Sequence, residues 1–72
     1  MDFDMAIGDN FASFFDEQTG LHVFVDSFDN EHFAVRIGSA EESTLVGSVK
    51  AASDEELNAK LKKCYELHIG SA

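Results

Sequence analysis

Apolar residues in this chain alternate with polar ones through its middle and then recur at helical spacing near its end. Leu21, Val23 and Val25 point to one face of an extended segment, with His22 and Phe24 on the other. From Glu31 to Ile37 the alternation returns, with Phe33, Val35 and Ile37 opposed to His32, Ala34 and Arg36. Thr44 to Lys50 reads as a further strand carrying Leu45, Val46 and Val49, and Gly47 inside it predicts a bulge or a close backbone approach. The breaks between these runs have turn chemistry. Asp16-Glu17-Gln18-Thr19-Gly20 leads polar residues to a glycine suited to positive φ, Ser27-Phe28-Asp29-Asn30 is a second turn, and Gly38 to Ser43 is a polar loop.

Ser53-Asp54-Glu55-Glu56 matches a capping box, in which a hydroxyl and a carboxylate three residues later satisfy the first free amides of a helix. Leu57, Leu61, Cys64, Tyr65 and His68 follow at helical spacing, so a helix is expected from about Asp54 to about Leu67. Acids in its first turn and Lys60, Lys62 and Lys63 further along suit the helix dipole. The first fifteen residues carry two readings. Phe3, Met5 and Ile7 alternate like a strand, whereas Asp9 can cap a short helix bearing Phe11 and Phe14 that ends at Gly20; the hairpin reading, preferred here, makes Phe11 to Asp16 a strand. The expected fold is α+β: residues 1–72 as one domain, an antiparallel meander of three or four strands with a C-terminal helix packed on one face. Its expected core is Val23, Val25, Phe33, Val35, Ile37, Leu57, Leu61 and Cys64.

Composition narrows the function. A chain of 72 residues buries only about 60% of the surface it exposes when unfolded, and this leaves little room for a substrate cleft. No nucleophile elbow, phosphate-binding glycine loop or dinucleotide fingerprint occurs. The adjacent acids Asp16 with Glu17 and Glu41 with Glu42 read as solvating charge, so neither catalysis nor a cofactor is expected. The lone cysteine, Cys64, cannot close an internal disulfide, and a reducing, cytoplasmic setting is expected. No apolar run approaches the roughly 18 residues of a membrane span, and the start Met-Asp-Phe-Asp lacks the positive charge of a signal peptide. A net charge of -9 disfavours direct contact with nucleic acid or anionic membranes, which are bound through Lys and Arg.

Two metal sites were weighed on residue type. Cys64 and His68, four apart on the helix, form half of a zinc site that His22 and His32 would have to complete, but the close cysteine pair usual in such sites is missing. Asp26, Asp29, Asn30 and Glu31 gather oxygen ligands without the alternating positions and central glycine of a calcium loop. No metal is expected at either.

Charge is segregated along the chain. The first 35 residues hold Asp2, Asp4, Asp9, Asp16, Glu17, Asp26, Asp29 and Glu31, all seven phenylalanines and no lysine or arginine. A surface meant only for solubility would intersperse both signs. Carboxylates on strands and turns can instead reproduce the charge of a phosphate backbone, and an exposed ring such as Phe28 can anchor the contact. The expected contact set is Asp16, Glu17, Asp26, Phe28, Asp29, Glu31, Glu41 and Glu42.

In size, acidity and lack of any cofactor motif the chain resembles the small phage-encoded inhibitors, anti-CRISPR proteins and other DNA mimics among them. The resemblance spans the whole chain and rests on no single motif, so it carries over no functional residue. It implies an inhibitor whose partner is a basic nucleic-acid-binding protein or complex, with the helix lysines confining mimicry to one side. The alternative expectation is a structural or adaptor module. One helix of about 21 Å covers only one face of a small sheet, and the face bearing His22, Phe24, His32 and Ala34 would then support a weak homodimer.

Overall fold

The computed structural model describes residues 3–39 and 41–70. Four strands, β1 (Phe11–Asp16), β2 (Leu21–Ser27), β3 (His32–Gly38) and β4 (Ser43–Lys50), precede one helix, α1 (Asp54–Gly70). The strands pair antiparallel in the order β1-β2-β3-β4, so the sheet is a meander and the fold is α+β. Of the two readings of the N-terminal region, the hairpin is the one adopted. Residues 3–10, however, form neither strand nor helix.

Each connection is fixed by short-range polar chemistry. In the β1–β2 turn the Asp16 carboxylate accepts the Gln18 amide at 3.0 Å, its carbonyl accepts the Gly20 amide at 2.8 Å, and Gly20 takes a φ of 74°. In the β2–β3 turn Asn30 sits at φ 57°, a left-handed conformation that asparagine tolerates better than most residues. Gly38, at the end of β3, is required by space: a Cβ there would lie 2.3 Å from the Glu42 carbonyl oxygen. The β4 irregularity falls beside Gly47, where Val35 pairs with Gly47 and Arg36 with Leu45, leaving Val46 as the extra residue. A Cβ on Gly47 would meet nothing, so the bulge reading is realised and the close-approach reading is not. The bulge resets the parity of β4, sending Val46 towards the core and leaving Leu45 60% exposed.

Val23, Val25, Phe33, Val35, Ile37, Leu57 and Leu61 are buried between sheet and helix. Cys64 departs from expectation. It is half-buried at the edge of this cluster, and Tyr65 takes the central place, packed on Phe3 and hydrogen-bonded to Asp16 and Thr19 of the first turn. The helix opens on its capping box: the Glu56 amide donates to Ser53 Oγ at 3.1 Å and the Glu56 carboxylate accepts the Ala52 amide at 2.7 Å.

The helix does not cover the inner face alone. Residues 3–10 lie alongside it as a strap that turns at Ile7 and Gly8, with Phe3 and Met5 buried and Ile7 partly so. Phe3 meets Phe14 edge-on at 4.9 Å and Tyr65 at 6.1 Å. The strap's backbone is held mainly by side chains. Met5 exchanges two hydrogen bonds with the Asn58 amide, the Ile7 amide donates to Asp54 at 2.7 Å, and Asn30 Nδ2 donates to the Ile7 carbonyl at 3.1 Å.

Candidate functional site, the uncovered sheet face

Helix and strap leave the opposite face of the sheet bare. Register places three rows across it: Phe11, Asp26, Ala34 and Ser48; Ser13, Phe24, Arg36 and Leu45; Phe15, His22, Gly38 and Ser43. Phe15 packs on His22 at a ring distance of 4.7 Å, and His22 stacks parallel to Phe24 at 5.9 Å. Phe11 and Phe15 are 60% and 52% exposed, so this face presents aromatic surface to solvent rather than a polar coat. His22, Phe24, His32 and Ala34 were legible as outward-facing; Phe11 and Phe15 were not singled out. The signal was present, since adjacent Phe14 and Phe15 in one strand must point to opposite faces.

The meander divides seven of the eight expected contact residues between the two ends of this face. Asp16 and Glu17 in the β1–β2 turn, and Glu41 and Glu42 in the β3–β4 loop, lie at one end; Phe28, Asp29 and Glu31 in the β2–β3 turn lie at the other. A seven-residue strand separates the ends by roughly 20 Å. Asp26 is on the face itself, and Phe28 stands fully exposed at its turn.

Several of these acids also hold the fold. Tyr65 Oη, buried on the helix, donates to Asp16 at 2.6 Å and contacts Thr19 Oγ1 at 2.7 Å. The Tyr65 bond, reinforced by the Gln18 amide, lowers the Asp16 pKa, while burial and then the Asp16 bond raise that of Tyr65. Asp29 accepts the His32 amide at 2.8 Å, the His32 ring nitrogen at 2.8 Å and the Glu31 amide at 2.9 Å. Those bonds, in the order His32 amide, His32 ring, Glu31 amide, hold the Asp29 carboxyl well below the usual carboxylate range. Glu31 pairs with Lys50 at 3.1 Å. Of the expected contact acids, Glu17, Asp26, Glu41 and Glu42 make no side-chain hydrogen bond or ion pair among the described residues and are the freest to meet a partner.

A depressed folded pKa stabilises the protein above the unfolded value, about 3.9 for Asp, and that contribution is lost as pH falls below it through the folded value. The melting-temperature gap between wild type and Asp29→Asn should therefore be widest above pH 5 and narrow steadily below pH 4. Thermal melts from pH 7 to pH 2 check this; a constant gap would mean that the Asp29 charge does not stabilise the turn.

The histidines and cysteine weighed as zinc ligands are kept apart. His22 and His32 belong to the bare face, at different ends of it, whereas Cys64 and His68 lie beyond the sheet beside Val46. Burial pushes the Cys64 thiol up, towards its protonated form. Asp29, Glu31 and His32 do place one ligand atom each within 4.8 Å of one another, but all are exposed, and turn amides and Lys50 already occupy the carboxylates. No helix among the described residues is long and apolar enough to cross a membrane. Compared with protein-family models, curated proteins and solved structures, the chain matches none.

Proposed function

We propose that this protein is an acidic, non-catalytic inhibitor that seats its bare sheet face on a basic nucleic-acid-binding surface of a larger complex, in the manner of the anti-CRISPR proteins and DNA mimics it resembles. The observation that carries the proposal is the layout of that face: aromatic rings along its β1–β2 side, Asp26 beside them, and carboxylates at both ends. Exposed aromatic rings flanked by charged side chains are the kind of patch on which a specific protein interface is built. Carboxylates at its ends would meet the Lys and Arg side chains that otherwise grip phosphates and would steer the approach. Phe28, exposed beside Asp29, supplies a further anchor. A reducing, cytoplasmic location belongs to the same reading and is supported by the single free thiol.

The test is competition. Added to a DNA-loaded, Lys/Arg-rich complex, with an RNA-guided effector as the first choice, the protein should release fluorescent DNA stoichiometrically. Its affinity should fall steeply as salt rises past about 0.15 M, where the Debye length is about 8 Å. Reversing Glu17, Glu41 and Glu42 to Lys should weaken competition at least about tenfold and leave the melting curve intact, since each such charge pair is worth up to about 1 kcal/mol. Competition indifferent to both salt and reversal would refute charge mimicry.

A second reading has its own support. Asp26 and Arg36 share the bare face without an ion-pair partner among the described residues, and Phe11, Phe15 and Leu45 are more than half exposed there. Two copies face to face would join opposite charges between apolar edges. Sedimentation velocity separates the readings: concentration-dependent dimers abolished by Phe24→Glu, with no competition for a basic complex, would favour a self-associating module.

A further inference from the structure

The sheet has a second surface that the proposed contact does not use, along the edge strand β4. Its neighbour on one side is β3, and its other side is a free edge. That edge borders an open groove whose strand wall is Val46, Gly47, Ser48 and Val49 and whose helix wall is Lys60, Lys63, Cys64 and Leu67, with a volume of about 320 Å³. A second depression of about 300 Å³ shares Val46, Cys64 and Leu67 and carries the groove on to His68.

Three features say what fits. The helix positions 60, 63, 64, 67 and 68 form a single stripe roughly 12 Å long, and strand positions 46–49 run roughly 10 Å beside it, a match to about four residues of extended chain. Lys60 Nζ donates to the Lys50 carbonyl and closes one end, so the open edge is the part beside Val46 to Val49. The third is charge. In a chain of net charge -9 the far wall carries two ammonium groups; Lys60 is shared with Glu56 at 3.9 Å, whereas Lys63 has no ion-pair partner among the described residues and is the main charge on offer.

We infer that this groove takes an extended acidic peptide segment as a fifth strand. The segment's backbone would hydrogen-bond to the free N–H and C=O groups of β4, as exposed sheet edges do when they accept a peptide. Apolar side chains at alternate positions enter between Val46, Val49, Cys64 and Leu67, and flanking carboxylates meet Lys63 and Lys60. The β4 bulge is what makes this possible, because it turns Val46 into the groove.

The probe is a synthetic seven-residue peptide, capped at both ends, that alternates valine with glutamate, titrated into the full ¹⁵N-labelled chain. Saturable amide shifts confined to β4 and the second half of α1 are expected, with slowed hydrogen exchange in β4 and slowed alkylation of Cys64. Lys63→Glu should weaken binding about fivefold, the worth of one partly exposed charge pair. Leu67→Glu should abolish it. Both residues are exposed, so both variants should melt as wild type does. Equal binding of a valine–lysine peptide, shifts centred on Phe24, no binding at millimolar peptide, or β4 protection that depends on protein concentration alone would each overturn the inference. Failure here leaves the competition experiment untouched, because that experiment addresses the opposite face of the sheet.

Discussion

Phe33→Ala should lower stability by about 3–5 kcal/mol, the usual cost of emptying a buried phenylalanine site. Phe33 has no exposed surface and lies on β3, an interior strand, between Ser27 of β2 and Val49 of β4. A chain of 72 residues has a total stability of roughly 4–11 kcal/mol at typical values per residue. The loss therefore consumes much or all of it. With a urea dependence of about 1 kcal/mol per molar for a small protein, the unfolding midpoint should move down by about 3 M or the transition should vanish. Phe28→Ala is the matched control, because its ring is fully exposed, and it should change stability by no more than about 0.5 kcal/mol. A midpoint shift below about 1 M for Phe33→Ala would remove that ring from the centre of the core.

The same contrast shows what was legible in the sequence. Phe33 stood in a run of strict alternation with Val35 and Ile37, and a period of two with one apolar face has few alternative placements. Turn residues and the capping box set the element boundaries because their chemistry acts over three or four residues. The strap was legible only in part. Phe3, Met5 and Ile7 alternate with exposed Asp4 and Ala6 as a strand would, and the burial alternates as the pattern says, although no strand forms and the chain turns at Ile7 and Gly8. Alternation reports extension and one-sided burial, however, and carries no information about a hydrogen-bonded neighbour. The strap's partners are Asn58 and Asp54, far along the chain, and no local pattern announces them. Tyr65 displaced Cys64 for a geometric reason of the same kind, since both fit a loose helical stripe and only the position of the turn carrying Asp16 and Thr19 decides which one points inward.

Charge was legible along the sequence and rearranged in space. An antiparallel meander sends successive turns to opposite ends, so Glu17 and Asp29 are separated although both belong to the acidic half of the chain, while Glu17 is brought to the same end as Glu41 and Glu42. Asp29, the acid next to Phe28 in sequence, is the one most engaged in holding its own turn. A test of charge mimicry that reversed Asp29 would therefore confound binding with folding, and the argument shifts to Glu17, Glu41 and Glu42.

Asn58→Ala should cost about 2–4 kcal/mol and do so by releasing the strap. Asn58 Oδ1 accepts the Met5 amide at 2.8 Å and Nδ2 donates to the Met5 carbonyl at 3.0 Å, so one side chain satisfies both backbone groups of a residue that is 2% exposed. Removing it leaves a buried donor and a buried acceptor without partners, at about 1–3 kcal/mol each. The chain's cheapest response is to let residues 3–10 swing into water, which restores their hydrogen bonds and uncovers Phe3, Met5, Phe14 and Tyr65 instead. Increased binding of a hydrophobic dye and early proteolytic cleavage near Ala6 should accompany the drop in melting temperature. Asn58→Asp keeps the acceptor and loses the donor, and it should fall between wild type and Asn58→Ala. Because the strap that Asn58→Ala releases already carries the Met5 side chain into water, combining Met5→Ala with Asn58→Ala should cost clearly less than the two single losses added together. Full additivity, with a strap as resistant to protease as in wild type, would show that the burial of Phe3 and Met5 holds it without Asn58.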